Sequence, residues 1–544
     1  MISLAESSQK GVFLCNCHGS VSKVLPVEAL CQFLKQRQPG LPVVVGDNFC
    51  QPQILLRLAQ EHSLQPMVVG ACSQLDSKRH FWEEPERLVL DPYSVRIVDL
   101  LREIASSYNN AELVERVKLL LWSQVRRQDR FSSVPPQSRK LRFARPQGEI
   151  SRRDLFQLPL PKYQVIPYIQ TEKCMDGGRC YLCQEECSFN AILIENSHVL
   201  IDKLGCRGCG ACIAACPFQA ISYPTFSLDQ LEGEMEGLLL ADGDILQPRI
   251  MALICQSCLP SFSEAEVNPF SCAPNMLPLE VPCLSMVPSW LLLRAFELGA
   301  QGVALISNTE KCQFGLKPDK WQGRVRFVQE LFEQWGIEPR RIKAFEGSRL
   351  EQELTQFVRE VAQLPPTPLR SSQPTKVPAK GLPLPALIAG LAERLAPRSS
   401  GVVSAETVPF GKLELDRSQC TACGLCALDC PTEALRFVLD KEAYQLLFHY
   451  QACIGCGQCV RSCPEKCLRL ENALQLDKLS SQAETILEGE IARCRECGAP
   501  MAPRAMIDRL RTRIAAAQGL TSQLDTCPAC RTKAMSGVAS RSGA

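Results

Sequence analysis

The stretch CTACGLCALDCP, residues 420–431, sets four cysteines in eleven residues and closes them with a proline. Variants of the unit recur as CIGCGQCVRSCP from 453 and CRGCGACIAACP from 206, and in altered form as CMDGGRCYLCQEECS from 174. A spacing of two residues turns successive sulfurs to the inside of a tight loop, and the Ala and Gly between them let backbone come close to whatever the sulfurs hold. A [4Fe-4S] cube asks for this: three thiolates from one loop and a fourth from elsewhere, which in two-cluster ferredoxins is the last cysteine of the other loop. Internal repetition therefore predicts two ferredoxin-like modules of two clusters each, and any fold must bring the loops together in pairs.

By that rule Cys420, Cys423, Cys426 and Cys463 hold one cluster, and Cys453, Cys456, Cys459 and Cys430 hold its neighbour. In the earlier module Cys206, Cys209, Cys212 and Cys187 form a regular set. The remaining loop departs from the pattern, because five residues separate Cys174 from Cys180 and Ser188 stands where the other loops have proline. Gly177 and Gly178 let this longer loop return, which predicts a fourth set of Cys174, Cys180, Cys183 and Cys216.

The chain of 544 residues is long enough for about three to five domains. It carries 31 cysteines against five histidines, and a net charge of +2 creates no global field for nucleic acid or an acidic membrane. The beginning, MISLAESSQKGVFLC, lacks a basic segment followed by an apolar one, and the most apolar stretches are cut by Arg, Glu or Gly short of the roughly 20 residues a membrane helix needs. The expectation is a cytoplasmic protein without a membrane span, whose thiols bind metal rather than pair as disulfides.

Two Pro-rich stretches read as linkers, 133–164 and 364–405. Residues 1–132 alternate short apolar strands with helical patterns, and 245–363 repeat that style, so each predicts a small α/β domain with parallel strands. The modules fall at 165–228 and 406–475, and a cysteine-bearing segment occupies 485–535. The predicted class is thus α/β plus α+β, multidomain. Ten Lys or Arg against two acids between 118 and 153 read as a solvated helix end running into a linker, or as a dock for an acidic partner.

Within the second α/β domain, ICQSC, EVPCLSMVPSWLLLRAFELGAQGVALIS and KCQFG resemble the small iron-sulfur (delta) subunit of methyl-viologen-reducing hydrogenases. The resemblance implies a [2Fe-2S] site at Cys255, Cys258, Cys283 and Cys312, with Cys272 spare. GVFLCNCHGSV, DNFC and MVVGACSQLDSKRHF resemble the N-terminal domain of the HdrA-type subunit of heterodisulfide reductase, which implies a further [4Fe-4S] site drawing on Cys15, Cys17, Cys50 and Cys72. The family's later cysteine has no counterpart in REIASSY, so Cys15 and Cys17 both ligate, or Cys31 substitutes, or no cluster forms.

CRECG at 494 and CPAC at 527 are two Cys-x-x-Cys knuckles flanking a helical pattern. Cys494, Cys497, Cys527 and Cys530 then make a zinc-ribbon-like four-thiolate site for one zinc, or for a rubredoxin-type iron of the same geometry. No G-x-G-x-x-G follows a strand, so no flavin is expected in this chain, and no Walker loop or Ser-His-Asp set is present. Four [4Fe-4S] clusters, one [2Fe-2S] and a fifth [4Fe-4S] at the N-terminus add up to a relay of electrons between redox partner proteins. By resemblance those partners include formate dehydrogenase, hydrogenase or a heterodisulfide-reductase-like system. The alternative is a catalytic subunit or maturation factor that uses the α/β domains on a substrate or client enzyme.

Overall fold

The structure, a computed structural model, describes residues 9–49, 51–71, 94–106, 108–132, 139–142, 162–174, 179–241, 243–256, 273–308, 312–316, 318–346, 350–376, 382–395, 401–404, 406–479, 482–515 and 524–539. The chain is mixed α/β and forms two compact units, one of residues 1–174 with 182–396 and one of 175–181 with 397–544. Among the described residues no helix is long and apolar enough to cross a membrane.

The first unit begins with a four-stranded sheet in the order Val43–Gly46, Gln9–Cys15, Leu64–Ala71, Val95–Asp99, every pairing parallel. Val12, Phe13, Leu14 and Cys15 are all buried, the continuous apolar run of a strand covered on both faces. A second parallel sheet runs Met276–Val281, Ile250–Cys255, Gly302–Ser307, Ile342–Glu346. Its helix Leu350–Ala362 drops Leu354, Phe357 and Val361 onto the sheet residues Ile254, Ala304 and Ile306. Each of these two stretches thus holds a four-stranded parallel sheet.

Between these sheets in sequence, the first cysteine-rich stretch is tied by strands Tyr168–Ile169 and Ile221–Ser222 and by the hairpin Ile192–Glu195 with His198–Ile201. It leads into helix Leu228–Leu239, which packs along Asn110–Gln128 so closely that a Cβ at Gly237 would overlap the Cα of Ser123. Arg127 pairs with Glu234 inside this contact, while Arg126 and Arg130 reach Glu236 at 2.7 and 2.8 Å. Of the basic run, Arg126, Arg127 and Arg130 thus find acids in this chain, because helix Leu228–Leu239 presents Glu234 and Glu236 beside its glycine seam.

The stretch 364–405, read as a linker, also departs from expectation. It contains helix Pro383–Arg394, whose Leu384, Leu387, Ile388 and Leu391 are buried against helix Ser289–Leu298. Glu297, fully buried, accepts from the backbone N–H of Thr375 at 2.7 Å and from Arg394 at 2.8 Å, so the Pro-rich segment is strapped to the second sheet's domain. Prolines here start a helix rather than prevent one, since proline is tolerated in the first turn. Of 133–164, strand Arg139–Arg142 pairs with Lys162–Val165, and most of the rest lies outside the described residues.

In the second unit, Lys412–Leu415 pairs with Leu468–Glu471 and Val402–Ser404 with Ala473–Gln475. The boundary drawn between 475 and 485 does not separate two folds: Glu484–Arg493 adds to the hairpin Leu435–Leu439 with Ala443–Phe448, and Pro500–Pro503 extends the same antiparallel sheet. The knuckle segment is built onto the ferredoxin hairpin.

Candidate metal centres

The loops of the second module each end on a one-turn helix, Leu425–Leu428 or Gln458–Arg461, entered through a left-handed glycine, Gly424 or Gly457. That entry turns the second and third cysteines of each loop inward. Cys420, Cys423, Cys426 and Cys463 line one cavity together with Leu415, Phe437, Leu446 and Leu468. Cys453, Cys456, Cys459 and Cys430 gather at a second place, where each of the first three feels the charge of Cys430. Cys463 thus lies in the cavity of the Cys420 loop, and Cys430 beside the Cys453 loop. Between the two sets, Cys426 feels the charge of Cys459.

In the first module Cys212 lies beside Cys209, Cys183, Cys206 and Cys187, and Cys216 beside Cys174. The Sγ of Cys187 accepts the N–H of Ala191 and that of Cys216 the N–H of Ala220, each at 3.3 Å. Cys180 is buried, one residue before Tyr181, which holds the left-handed position (φ 57°) that Gly210, Gly424 and Gly457 hold in the regular loops. Gly177 and Gly178 lie outside the described residues.

Burial dominates at several of these sulfurs. It pushes the Cys209 thiol up to about 11 and those of Cys426, Cys453 and Cys459 up to about 12, with neighbouring sulfurs adding to the effect. Groups of thiols that are desolvated, converge and accept backbone N–H bonds are poor thiolates alone. A bound iron reverses this, because a coordinating thiol gives up its proton outright. The residues present fit an iron–sulfur cluster.

At the second parallel sheet, Cys255 ends strand Ile250–Cys255 and Cys283 follows strand Met276–Val281, so both sit at the sheet's carboxyl edge, where open α/β sheets place their sites. The two thiols are in contact, and that contact together with burial raises Cys283 well above the ordinary thiol value. Cys312 follows strand Gly302–Ser307 at the same edge, and Cys258 and Cys272 lie outside the described residues.

Sequence reasoning passed over Arg324, which lies within the amphipathic pattern of helix Asp319–Gln334. Its buried guanidinium donates to the carbonyls of Ser285 and Val287 at 2.8 and 3.3 Å, in the turn after Cys283, and pairs at 3.0 Å with Glu186, the residue before Cys187. Nothing in a helical periodicity distinguishes such an arginine from a surface one. A Cβ at Gly210 would stand 2.8 Å from Met286 Cβ, so the 206–212 loop rests on the Cys283 turn.

In the N-terminal domain, Cys15 closes strand Gln9–Cys15 and Cys17 follows with φ 48°, its N–H donating to Cys15 Sγ at 3.4 Å. The His18 backbone N–H donates to Asp47 at 2.8 Å, and its ring Nε2 lies 2.9 Å from Asn48 Oδ1. Cys31 sits on helix Val27–Arg37 among its own helix's Glu28 and Lys35. Cys50 and Cys72 lie outside the described residues.

Cys494, Cys497, Cys527 and Cys530 bring their sulfurs within 4.8 Å of one another, a possible four-cysteine metal site. The N–H groups of Cys527 and Cys497 bond Cys494 Sγ and hold that thiol down to about 6. Arg495 N–H to the Asp525 carbonyl, at 2.8 Å, ties one knuckle to the approach of the other.

Paired cysteine loops on a mixed α/β scaffold are the arrangement of iron–sulfur-binding segments. Residues 412–464 match the 4Fe-4S dicluster domain family, residues 199–222 the 4Fe-4S binding domain family, and residues 250–365 the family described as methyl-viologen-reducing hydrogenase, delta subunit. The chain is 26% identical over 208 residues to the HdrA-type subunit of the ferredoxin:CoB-CoM heterodisulfide reductase of Methanosarcina mazei, covering 37% of this chain and 25% of that protein. It is 27% identical over 220 residues to the corresponding subunit of a CoB-CoM heterodisulfide reductase of Methanosarcina acetivorans, covering 39% and 27%. Similarity of 24% over 133 residues to the vhc hydrogenase iron-sulfur subunit of Methanococcus voltae covers 23% of this chain and 92% of that protein. The match thus spans about a quarter of the length of each reductase relative. Heterodisulfide-reductase-like, hydrogenase-delta and ferredoxin segments stand in one polypeptide, as their resemblances led us to expect.

Proposed function

We propose that this chain is a cytoplasmic electron relay between redox partner proteins, one of them an enzyme of the formate dehydrogenase, hydrogenase or heterodisulfide reductase type. Four [4Fe-4S] clusters take the ligand sets read from spacing, a [2Fe-2S] cluster takes Cys255, Cys258, Cys283 and Cys312, and the knuckle cysteines take one zinc. A fifth [4Fe-4S] cluster at Cys15, Cys17, Cys50 and Cys72 belongs to the same reading. Bound clusters supply one-electron uptake and release, at potentials set by charge, hydrogen bonds and exposure.

The observation that carries this reading is the packing of one candidate centre on another inside the first unit. Gly210 rests on Met286, and Arg324 joins the turn after Cys283 to Glu186 before Cys187, so the segments that carry ligands of two centres share one buried arginine. A relay needs such contacts. A substrate enzyme needs a pocket with acids and bases, whereas the titratable groups that converge at these candidate centres are thiols.

The test is electron transfer from a reduced low-potential ferredoxin through the anaerobic chain to an acceptor enzyme. Cys423→Ala is expected to slow transfer at least about tenfold while partner affinity stays within about twofold, because a relay loses one of its centres and not its surface. Turnover of a small molecule without any partner, surviving Cys423→Ala, would overturn the relay.

A further inference from the structure

Four loops of this chain end in the same backbone turn. The N–H groups of Asn190, Gln219, Glu433 and Lys466 donate to the carbonyls of Cys187, Cys216, Cys430 and Cys463 at 3.1, 3.3, 3.2 and 3.2 Å. Each of those four donors is left-handed, with φ of 51°, 53°, 53° and 52°. The turn folds the following residue back toward the ligand sulfur, as the Ala191 and Ala220 N–H bonds to Cys187 and Cys216 Sγ display. That following residue is Ala191, Ala220 and Ala434 in three loops, and Cys467 in the fourth; all four are buried.

Alanine suits the position because it fills the space beside a ligand without competing for what the ligand holds. Cys467 does compete. Its Sγ lies 3.4 Å from that of Cys463, and it is also within hydrogen-bonding reach of Cys420. It lines the same cavity as Cys420, Cys423, Cys426 and Cys463, so this site has five sulfurs where a cube needs four. Its place is fixed from behind: the Cys467 carbonyl accepts the Asp416 N–H at 2.8 Å, and Leu468 begins the strand paired with Lys412–Leu415.

We propose that Cys467 is a reserve ligand for this one site, able to replace Cys463 as the fourth thiolate. The inference rests on the ferredoxin ligand reading above. Exchange is redox-neutral: one iron–sulfur bond to Cys463 breaks, one to Cys467 forms, and the thiol proton of Cys467 ends on Cys463. Its consequence is that this centre survives loss of its fourth ligand while the other three do not.

Iron per chain and electron paramagnetic resonance of the anaerobic full-length protein test this. Cys463→Ala is expected to keep its iron, with shifted g values as the ligand changes, and Cys463→Ala/Cys467→Ala to lose about four irons. Cys430→Ala, whose turn offers only Ala434, is expected to lose about four irons by itself. Equal iron loss in Cys463→Ala and in the double variant overturns the proposal, whereas no loss in Cys430→Ala would overturn the ligand reading beneath it. Should Cys463→Ala fail to fold, Cys430→Ala/Ala434→Cys decides: iron restored by a cysteine at the equivalent position supports the reserve role, and iron still missing overturns it.

Discussion

Cys453 and Cys494 each open a Cys-x-x-Cys pair in the second unit, yet their sulfurs live under opposite rules. Burial pushes Cys453 up to about 12, whereas the N–H groups of Cys527 and Cys497 hold Cys494 down to about 6. The ferredoxin loops make a desolvated hollow for an inorganic body that brings its own positive charge. The knuckles instead build a thiolate in advance, by aiming backbone donors at one sulfur, and so suit a single ion. Spacing alone does not separate the two; the surroundings of the sulfurs do.

The widest separation is in metal content. Cys453→Ala is expected to remove about four irons, since a cube that loses a ligand loses its anchorage, and to leave the knuckle metal in place. Cys497→Ala is expected to remove about one metal ion and no iron. Metal analysis of the anaerobically purified variants, against a parent expected to carry about 18 to 22 irons and one zinc, measures both. Iron loss from Cys497→Ala would erase the distinction.

The ferredoxin loops were legible because repetition marks them in the sequence, and the structure places Cys463 in the cavity of the Cys420 loop and Cys430 beside Cys453. Both parallel sheets were legible from short apolar runs. What the sequence hid was partnership. Arg126, Arg127 and Arg130 look like a surface run until Glu234 and Glu236 arrive from a helix about a hundred residues on. Pro383 and Pro385 look like a linker until Leu387 and Leu391 find helix Ser289–Leu298. Tyr181 conceals a left-handed position that glycine marks elsewhere, and Cys467 looks surplus until the turn at Lys466 brings it back to Cys463. Local pattern reports which face is apolar or which loop is tight. Which distant group meets it is a tertiary fact.

A second contrast is in backbone tolerance. Gly455 and Gly498 are both left-handed, at φ 64° and 71°, but a Cβ at Gly455 would stand 2.5 Å from the Phe410 carbonyl oxygen, while one at Gly498 meets nothing within 4 Å. Gly498→Ala then bears only the left-handed strain, roughly 1–2 kcal/mol. Gly455→Ala adds an overlap with backbone that cannot move aside, for a total of roughly 2–4 kcal/mol. Chemical denaturation of the cluster-loaded protein reads the difference, and equal costs would mean that the ferredoxin loop is no more tightly enclosed than the knuckle.

The finest contrast is one proton. Thiols bind a metal as thiolates, so binding releases a proton for each thiol that is still protonated beforehand. Cys494, held below the ordinary thiol value of 9.0 at about 6, is already ionised near neutrality. The sign follows from the lowered value: the ionised sulfur's contribution is complete above the ordinary thiol value and is lost as pH falls through about 6. Cys530 acts in the other direction, pushed up to about 12 by the sulfurs of Cys497 and Cys527, and it keeps its proton until the metal arrives. Zn2+ titrated into full-length protein with clusters intact and knuckles stripped is therefore expected to release about one proton more below about pH 6 than at about pH 7.5, the proton that Cys494 regains as pH falls. Calorimetry in buffers of differing ionisation enthalpy counts those protons. A count that stays constant across that range would show that the Cys494 thiolate is made by the metal, as in the ferredoxin loops, and not by the backbone donors in advance.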